Sequence, residues 1–244
     1  VTGDILDYGL LLKSMANHDF VIHLAAQTNI LQSITDPETT IDIIVEGTVN
    51  VLKSCVKTNV KGLVSTSSAA VYGNSPDAPI SENSQLSPIS SYGASKLVTE
   101  YNLQAFSRFF SLNCISLRLF NVYGNGQSSE TVVIRKFLKN ISKDLPLEIF
   151  GDGAQTRDFV HVSDVIQAFS CAIKNIEAKR GEVYNIGSGK STSINELASL
   201  LISSKGKDLQ IIHKSEIQGE IKFSKANISL AKTDINYSPE VSLR

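Results

Sequence analysis

Short apolar runs alternate with amphipathic stretches along most of the 244 residues, and this alternation limits the fold more than any other feature. Phe20-Val21-Ile22-His23-Leu24-Ala25-Ala26 is a near-continuous apolar run of strand length, which predicts a strand buried on both faces. Asp36-Pro37-Glu38 is a helix start signal, and Val45, Val49, Leu52 and Val56 follow it at helical spacing. Residues 62–67 read as the next strand, and residues 74–91, rich in Ser, Pro and Asn, as a loop. Residues 92–110 read as a helix and residues 114–120 as a third strand. A β-α-β-α-β order implies parallel strands joined by right-handed crossovers, so the expected class is α/β with a doubly wound parallel sheet.

The second half has shorter elements. Residues 131–143 predict a helix, 147–150 a strand, and Gly151-Asp152-Gly153 a turn. Ser163 is placed to cap a helix whose inner face carries Val165, Ala168, Phe169, Ala172 and Ile173. A strand at 183–186, a helix at 194–203 and a strand at 209–213 follow. The opening Val1-Thr2-Gly3-Asp4 reads as the end of a strand and its turn, and the one methionine is Met15, so the expectation is that a longer protein's beginning precedes this chain.

Charge excludes some partners. The 23 Lys+Arg and 24 Asp+Glu give a net charge of −1, well mixed, with no electrostatic case for nucleic acid or a membrane surface. No apolar run approaches the roughly 18 residues of a membrane helix. Cys55, Cys114 and Cys171 are far apart and not in CxxC form, which predicts small core residues in a reducing, cytoplasmic setting. The sequons at Asn140 and Asn227 would need a secretory context that no signal peptide supports. His18, His23, His161 and His213 are scattered without metal-ligand spacing, so no metal is expected.

The pair with the most chemical content is Tyr92 and Lys96, four residues apart and so on one helix face. A tyrosine titrates at about 10 in water, too high for a base at neutral pH, and a nearby cation lowers that value. The spacing can therefore make an acid–base group for a sugar or alcohol hydroxyl; by itself it equally fits a helix-start tyrosine beside a solvated lysine. Ser67-Ser68 ends the preceding strand, where active-site residues of open α/β sheets collect. Gly187-Ser188-Gly189-Lys190-Ser191-Thr192 has the look of a phosphate loop, but the pattern needs a glycine where Tyr184 stands.

Taken together, His23-Leu24-Ala25-Ala26-Gln27, Gly47-Thr48, Ser67-Ser68 with Val71-Tyr72-Gly73, and Tyr92-Gly93-Ala94-Ser95-Lys96 resemble the extended short-chain dehydrogenase/reductase family, in its NAD-dependent epimerase/dehydratase branch. Leu117-Arg118, Phe120-Asn121-Val122-Tyr123-Gly124, Gly151-Asp152-Gly153 with Gln155, Arg157-Asp158-Phe159 and Tyr184-Asn185-Ile186-Gly187 extend the likeness over almost the whole chain. The resemblance implies a Rossmann-like domain, lacking its first strands, at residues 1–123 and 159–186, and a smaller α+β nucleotide-sugar domain at 124–158 and 187–244. It implies Tyr92 as general base and acid, Lys96 as the group that lowers its pKa and holds the nicotinamide ribose, and Ser68 as the partner of the reacting hydroxyl. Asp4 and Ile5 would lie at the adenine, and Leu24, Ala25, Ala26, Gln27 and Ser67 along the NAD. Asn121, Arg157 and Glu220 would hold a UDP-sugar, and a homodimer through two helices per subunit is usual for relatives.

Within that family, dehydratases usually carry Asp and Glu directly after the active Ser/Thr, where this chain has Ala69 and Ala70. Two methyl groups cannot supply the acid–base work of eliminating water. The resemblance is therefore to the UDP-glucose 4-epimerase type, with C4 inverted through a 4-keto intermediate; the alternatives are another nucleotide-sugar dehydratase, decarboxylase or reductase of the same family, or a non-catalytic fragment of such an enzyme. Three departures stand beside it. Ile44 replaces a cofactor-contacting Asn, Ile217-Gln218-Gly219-Glu220 replaces Arg-Pro-Gly-Asp, and the glycine-rich loop that cradles a pyrophosphate is absent from this sequence. A chain without that loop is expected to hold no dinucleotide tightly.

Overall fold

Alternation along two central strands decides how the molecule is layered. In the computed structural model, which describes residues 1–76, 78–126, 132–217 and 221–243, Leu63 and Cys114 pack into one core while their neighbours Val64 and Ile115 pack into another. These residues belong to β2 (Gly62–Ser68) and β3 (Asn113–Leu119), with β1 (Phe20–His23) outside β2. A strand described below, β8 (Arg180–Ile186), flanks β3, and all three pairings are parallel, in the order β1-β2-β3-β8. Helices α1 (Tyr8–Met15), α4 (Gly47–Lys57) and α5 (Ser91–Phe110) supply the Met15, Val51, Leu52, Cys55 and Leu103 side of the first core. Between β1 and α4 lie the short helices α2 (Ile30–Thr35) and α3 (Pro37–Ile41).

After β3 the chain forms β4 (Asn121–Tyr123), α6 (Val133–Ser142), β5 (Leu147–Phe150), β6 (Thr156–Arg157), β7 (Phe159–His161) and α7 (Val162–Lys174). β8, β9 (Thr192–Ser193), α8 (Ile194–Ser204), β10 (Ile211–Lys214) and α9 (Ser229–Ile235) complete it. Val165, Ala168, Phe169 and Ala172 of α7 and Ala231 and Ile235 of α9 cover the second face of the sheet. A third core, with Phe137, Ile141, Leu147, Ile149 and Leu197, joins α6 and α8 to the parallel β5–β10 pair.

Several expectations change. The first strand ends at His23 and is not buried on both faces: Phe20, Ile22 and Leu24 are exposed, because among the described residues β1 is an edge strand paired with β2 alone. The helix after Pro37 buries Ile44, Thr48, Val51, Leu52 and Cys55, while Val45, Val49 and Val56 are half-buried. A π-helical turn at Asp42–Glu46 separates α3 from α4; its wider turn rotates the inner face away from a regular 3.6-residue count. His161, not Ser163, caps α7, its ring nitrogen accepting from Ser163 N at 3.2 Å.

The loop that looks like a phosphate cradle is filled by the protein itself. Asp158, fully buried, accepts from Ser188 N and Oγ at 2.7 Å each and from Gly189 N and Ala226 N at 3.0 Å each. A Cβ at Gly187 would sit 2.8 Å from the same carboxylate, so only glycine lets the loop close on it. Burial pushes the Asp158 carboxyl upward against these hydrogen bonds. Asp158→Ala strands three backbone N–H groups at about 1–3 kcal/mol each, so urea denaturation is expected to show a loss of about 3 kcal/mol or more. A loss under about 1 kcal/mol would mean that those amides find other partners.

Candidate active site

The carboxyl end of β2 meets the first turn of α5. Ser90 caps that helix, its hydroxyl accepting from Gly93 N at 3.1 Å. A Cβ at Gly93 would lie 2.6 Å from the Ala70 carbonyl oxygen, so glycine there lets the helix start against the turn that follows Ser68. That approach sets the Tyr92 phenol against Ser68, whose hydroxyl acts to lower the phenol's pKa. Ser68 Oγ also accepts from Ala70 N at 3.2 Å, which pins its rotamer.

Lys96 shares the face of Tyr92, with Nζ 6.0 Å from the ring centroid. Its ammonium is nearly buried and donates to the Thr66 carbonyl at 3.0 Å and Thr66 Oγ1 at 3.3 Å. Burial draws Lys96 down to about 8, and Glu100 opposes that shift. Tyr92 differs from the sequence expectation: its phenol lies above its ordinary value, because burial outweighs the lowering influence of Ser68. The physical reason is that Lys96 directs its hydrogen bonds to Thr66 and not to the phenol oxygen.

The other expected residues fall in three places. Leu24 and Ala25 are exposed and Ala26 and Gln27 half-buried just beyond β1. Asp4 Oδ1 accepts from Leu6 N at 2.9 Å, while Ile5 packs on the core beneath α4. Asn121, exposed at the start of β4, donates its backbone N–H to Asp158 O at 3.0 Å, which sets it beside the strand carrying Arg157. Arg157 Nη1 donates to Ile221 O at 2.7 Å and Thr156 O at 2.9 Å. Ser67 is buried and bonded to Glu100, so its hydroxyl faces α5 rather than open space. Glu220 lies outside the described residues.

Whether these residues suit a dinucleotide has a local indicator. Gln27 Oε1 is buried with no hydrogen-bond partner, at the strand end expected to run along NAD. An unsatisfied acceptor there fits a ligand that brings its own donor. Among the described residues no group of three or more His, Cys, Asp or Glu could hold a metal ion, and no helix is long and apolar enough to cross a membrane.

Sequence reasoning quoted His23, Tyr72, Arg118 and Asn185 without roles and missed Glu100. His23 Nε2 lies 3.0 Å from Thr48 Oγ1, whose own proton goes to Ile44 O, so the imidazole is the donor. Burial, with Lys96 adding to it, draws His23 down from 6.5 to about 4. The unfolded chain takes up that proton near 6.5 and the folded one only near 4, so His23 stabilises fully above 6.5 and loses that contribution as pH falls through the window. His23→Gln is expected to flatten the decline in stability between pH 6.5 and 4 in urea titrations; an unchanged slope would contradict this.

The comparisons with known proteins agree with this geometry. The sequence model of the NAD dependent epimerase/dehydratase family matches residues 1–187. A Methanocaldococcus jannaschii protein with the provisional name UDP-glucose 4-epimerase is 36% identical over 248 residues, covering 100% of this chain and 80% of its own. The UDP-glucose 4-epimerase of Thermotoga maritima, solved with UDP-glucose, superposes with a TM-score of 0.91 at 31% identity, over 99% of this chain and 79% of that one. UDP-glucuronic acid 4-epimerase of Bacillus cereus, solved with UDP-glucuronic acid and NAD, gives 0.92 at 33% identity, over 99% and 76%. Dehydratases and a reductase of dTDP-sugars are also among the relatives. With a parallel α/β sheet, a Ser–Tyr–Lys cluster at its carboxyl end and matches spanning nearly its whole length, this chain belongs to the NAD-dependent epimerase/dehydratase family.

Proposed function

We propose that the protein, in a form that carries the pyrophosphate-cradling loop absent from this sequence, inverts C4 of a nucleoside-diphosphate hexose of the UDP-glucose/UDP-galactose type, with NAD, through a 4-keto intermediate. The observation that carries this reading is the meeting of Tyr92, at the capped start of α5, with Ser68 at the end of β2, and the Lys96 ammonium on the same helix face 6.0 Å from the Tyr92 ring centroid. Residues 1–123 and 159–186 would hold the dinucleotide, with Asp4 and Ile5 at one end, Ala25, Ala26 and Gln27 in the middle and Lys96 at the nicotinamide ribose. Residues 124–158 and 187–244 would hold the sugar nucleotide, with Asn121, Arg157 and Glu220 on the nucleotide side. Bound NAD would supply the acceptor and donor of the C4 hydride.

The chain's own residues handle the proton. Ser68 orients the C4 oxygen, and Tyr92 exchanges a proton with it in each half of the cycle. Burial favours the protonated phenol, the form that serves the reducing half. A positive charge brought to that oxygen favours the phenolate needed for the oxidising half, and Lys96 is the cation in place to do so. Ala69 and Ala70 follow Ser68 where elimination of water would call for acid–base groups, which favours epimerisation over the dehydratase reading that some relatives suggest.

Tyr92→Phe is expected to leave the circular dichroism spectrum unchanged and to lower turnover of UDP-glucose to UDP-galactose by roughly 10²–10⁴. Near-normal turnover would refute the role. A panel of UDP-glucose, UDP-glucuronate, UDP-N-acetylglucosamine and dTDP-glucose separates the readings: C4 inversion of a UDP-sugar supports the epimerase, and a 4-keto-6-deoxy product from dTDP-glucose supports a dehydratase.

A cytoplasmic homodimer completes the proposal. Val98, Tyr101 and Phe109 are exposed along one face of α5, with Phe109 85% accessible, and α4 packs beside that helix. Tyr101→Glu with Phe109→Glu is expected to convert a dimer to a monomer in sedimentation equilibrium. A monomeric unmodified protein would remove the dimer.

A further inference from the structure

Helix α5 carries Tyr92, Lys96 and Glu100 on one stripe, and the third of these has no part in the chemistry above. Glu100 is nonetheless almost wholly buried and heavily bonded. Its carboxylate accepts from Arg118 Nε at 2.9 Å, from Arg118 Nη2 at 2.7 Å and from the hydroxyl of Ser67. Arg118 Nη1 in turn donates to the Tyr72 hydroxyl at 2.7 Å and the Glu82 carbonyl at 3.2 Å. The Tyr72 hydroxyl donates to Asn185 Oδ1 at 2.7 Å. A buried ion pair is a poor source of stability, since desolvation offsets most of its attraction, so its geometric effect matters more.

That effect lies at the candidate site. Ser67, held by Glu100, is the residue before Ser68, and Thr66, which accepts from Lys96, is the residue before that. Lys96 and Glu100 thus bond two successive residues at the end of β2, Thr66 and Ser67, and Tyr92 lies against the next, Ser68. We propose that Glu100, clamped by Arg118 and Ser67, is a positioning residue for the Tyr92–Lys96 pair: it ties this strand end to α5 and keeps the Lys96 ammonium at the Thr66 carbonyl. The inference rests on the epimerase reading of Tyr92, Lys96 and Ser68.

The titratable groups facing Lys96 are Tyr92 and Glu100 from α5 and His23 from β1, with Arg118 of β3 behind Glu100. His23 is held neutral and Tyr92 protonated, so neither supplies negative charge. Glu100 is the group that offsets the burial of the ammonium. Without its charge, Lys96 would release its proton at a lower pH.

The test is an NMR titration of Lys96 in protein labelled at the lysine Cε, with the resonance assigned by Lys96→Met and no substrate or cofactor added. Glu100→Gln is expected to lower the Lys96 midpoint by about one pH unit or more. Should Glu100→Gln fail to fold because Arg118 is stranded, the double variant Glu100→Gln with Arg118→Met removes both charges; a smaller lowering in the same direction is expected, since the nearer, favourable charge is lost together with the more distant, unfavourable one. An unmoved Lys96 midpoint in either folded variant overturns the proposal, since a merely structural role would not touch that titration. The basic limb of the kcat profile should move with the midpoint while KM stays put. If the midpoint moves but the unmodified protein inverts no UDP-hexose, the positioning role stands and the epimerase reading fails.

Discussion

A carboxylate and a guanidinium, both nearly out of water, hold the centre of this molecule together. Glu100 comes from α5 and Arg118 from β3, and their two-pronged contact fixes the helix over the sheet. Such a pair gains little net energy when intact, yet removing one partner costs about 3–5 kcal/mol, because the other charge is left buried. The remaining donors are used as well: Tyr72, Asn185 and the Glu82 carbonyl extend the network to the neighbouring loop and to β8. The result is a strand end whose residues have one register with respect to the helix.

That register matters because acid–base chemistry is a question of placement before it is one of pKa. Tyr92 lies against Ser68, and Lys96 stands one turn along. Burial disfavours the phenolate, and the ammonium is turned to Thr66. A second buried carboxylate, Asp158, does similar work at a distance, drawing the 187–190 loop and the 226 backbone around itself beside Arg157 and Asn121.

Much of this was legible in the linear sequence, and the failures have physical causes. Strands β2 and β3 and helix α5 stand out because their periodicity is strong and their ends carry clear turn signals. The Tyr92–Lys96 face follows from four-residue spacing alone. Glu100 repeats that spacing, but a helical glutamate ordinarily faces water, and its partner Arg118 lies on a strand 18 residues away; only tertiary packing joins them. The inner face of α4 was misread because a π-helical turn, with no local sequence mark, resets the angle. The α7 cap went to His161 because a ring nitrogen there reaches the Ser163 amide. β1 reads as a buried strand by composition, while its exposure depends on which neighbours it has.

Inversion of a sugar carbon through its own ketone leaves an isotopic signature. The central claim is tested most directly by giving the protein, with NAD, UDP-glucose deuterated at C4 in ordinary water and following the product by NMR. The account predicts UDP-galactose that keeps its deuterium at C4, because the same hydride leaves and returns within one site. Product that has lost the deuterium to solvent, or recovery of unreacted UDP-glucose alone, would contradict it.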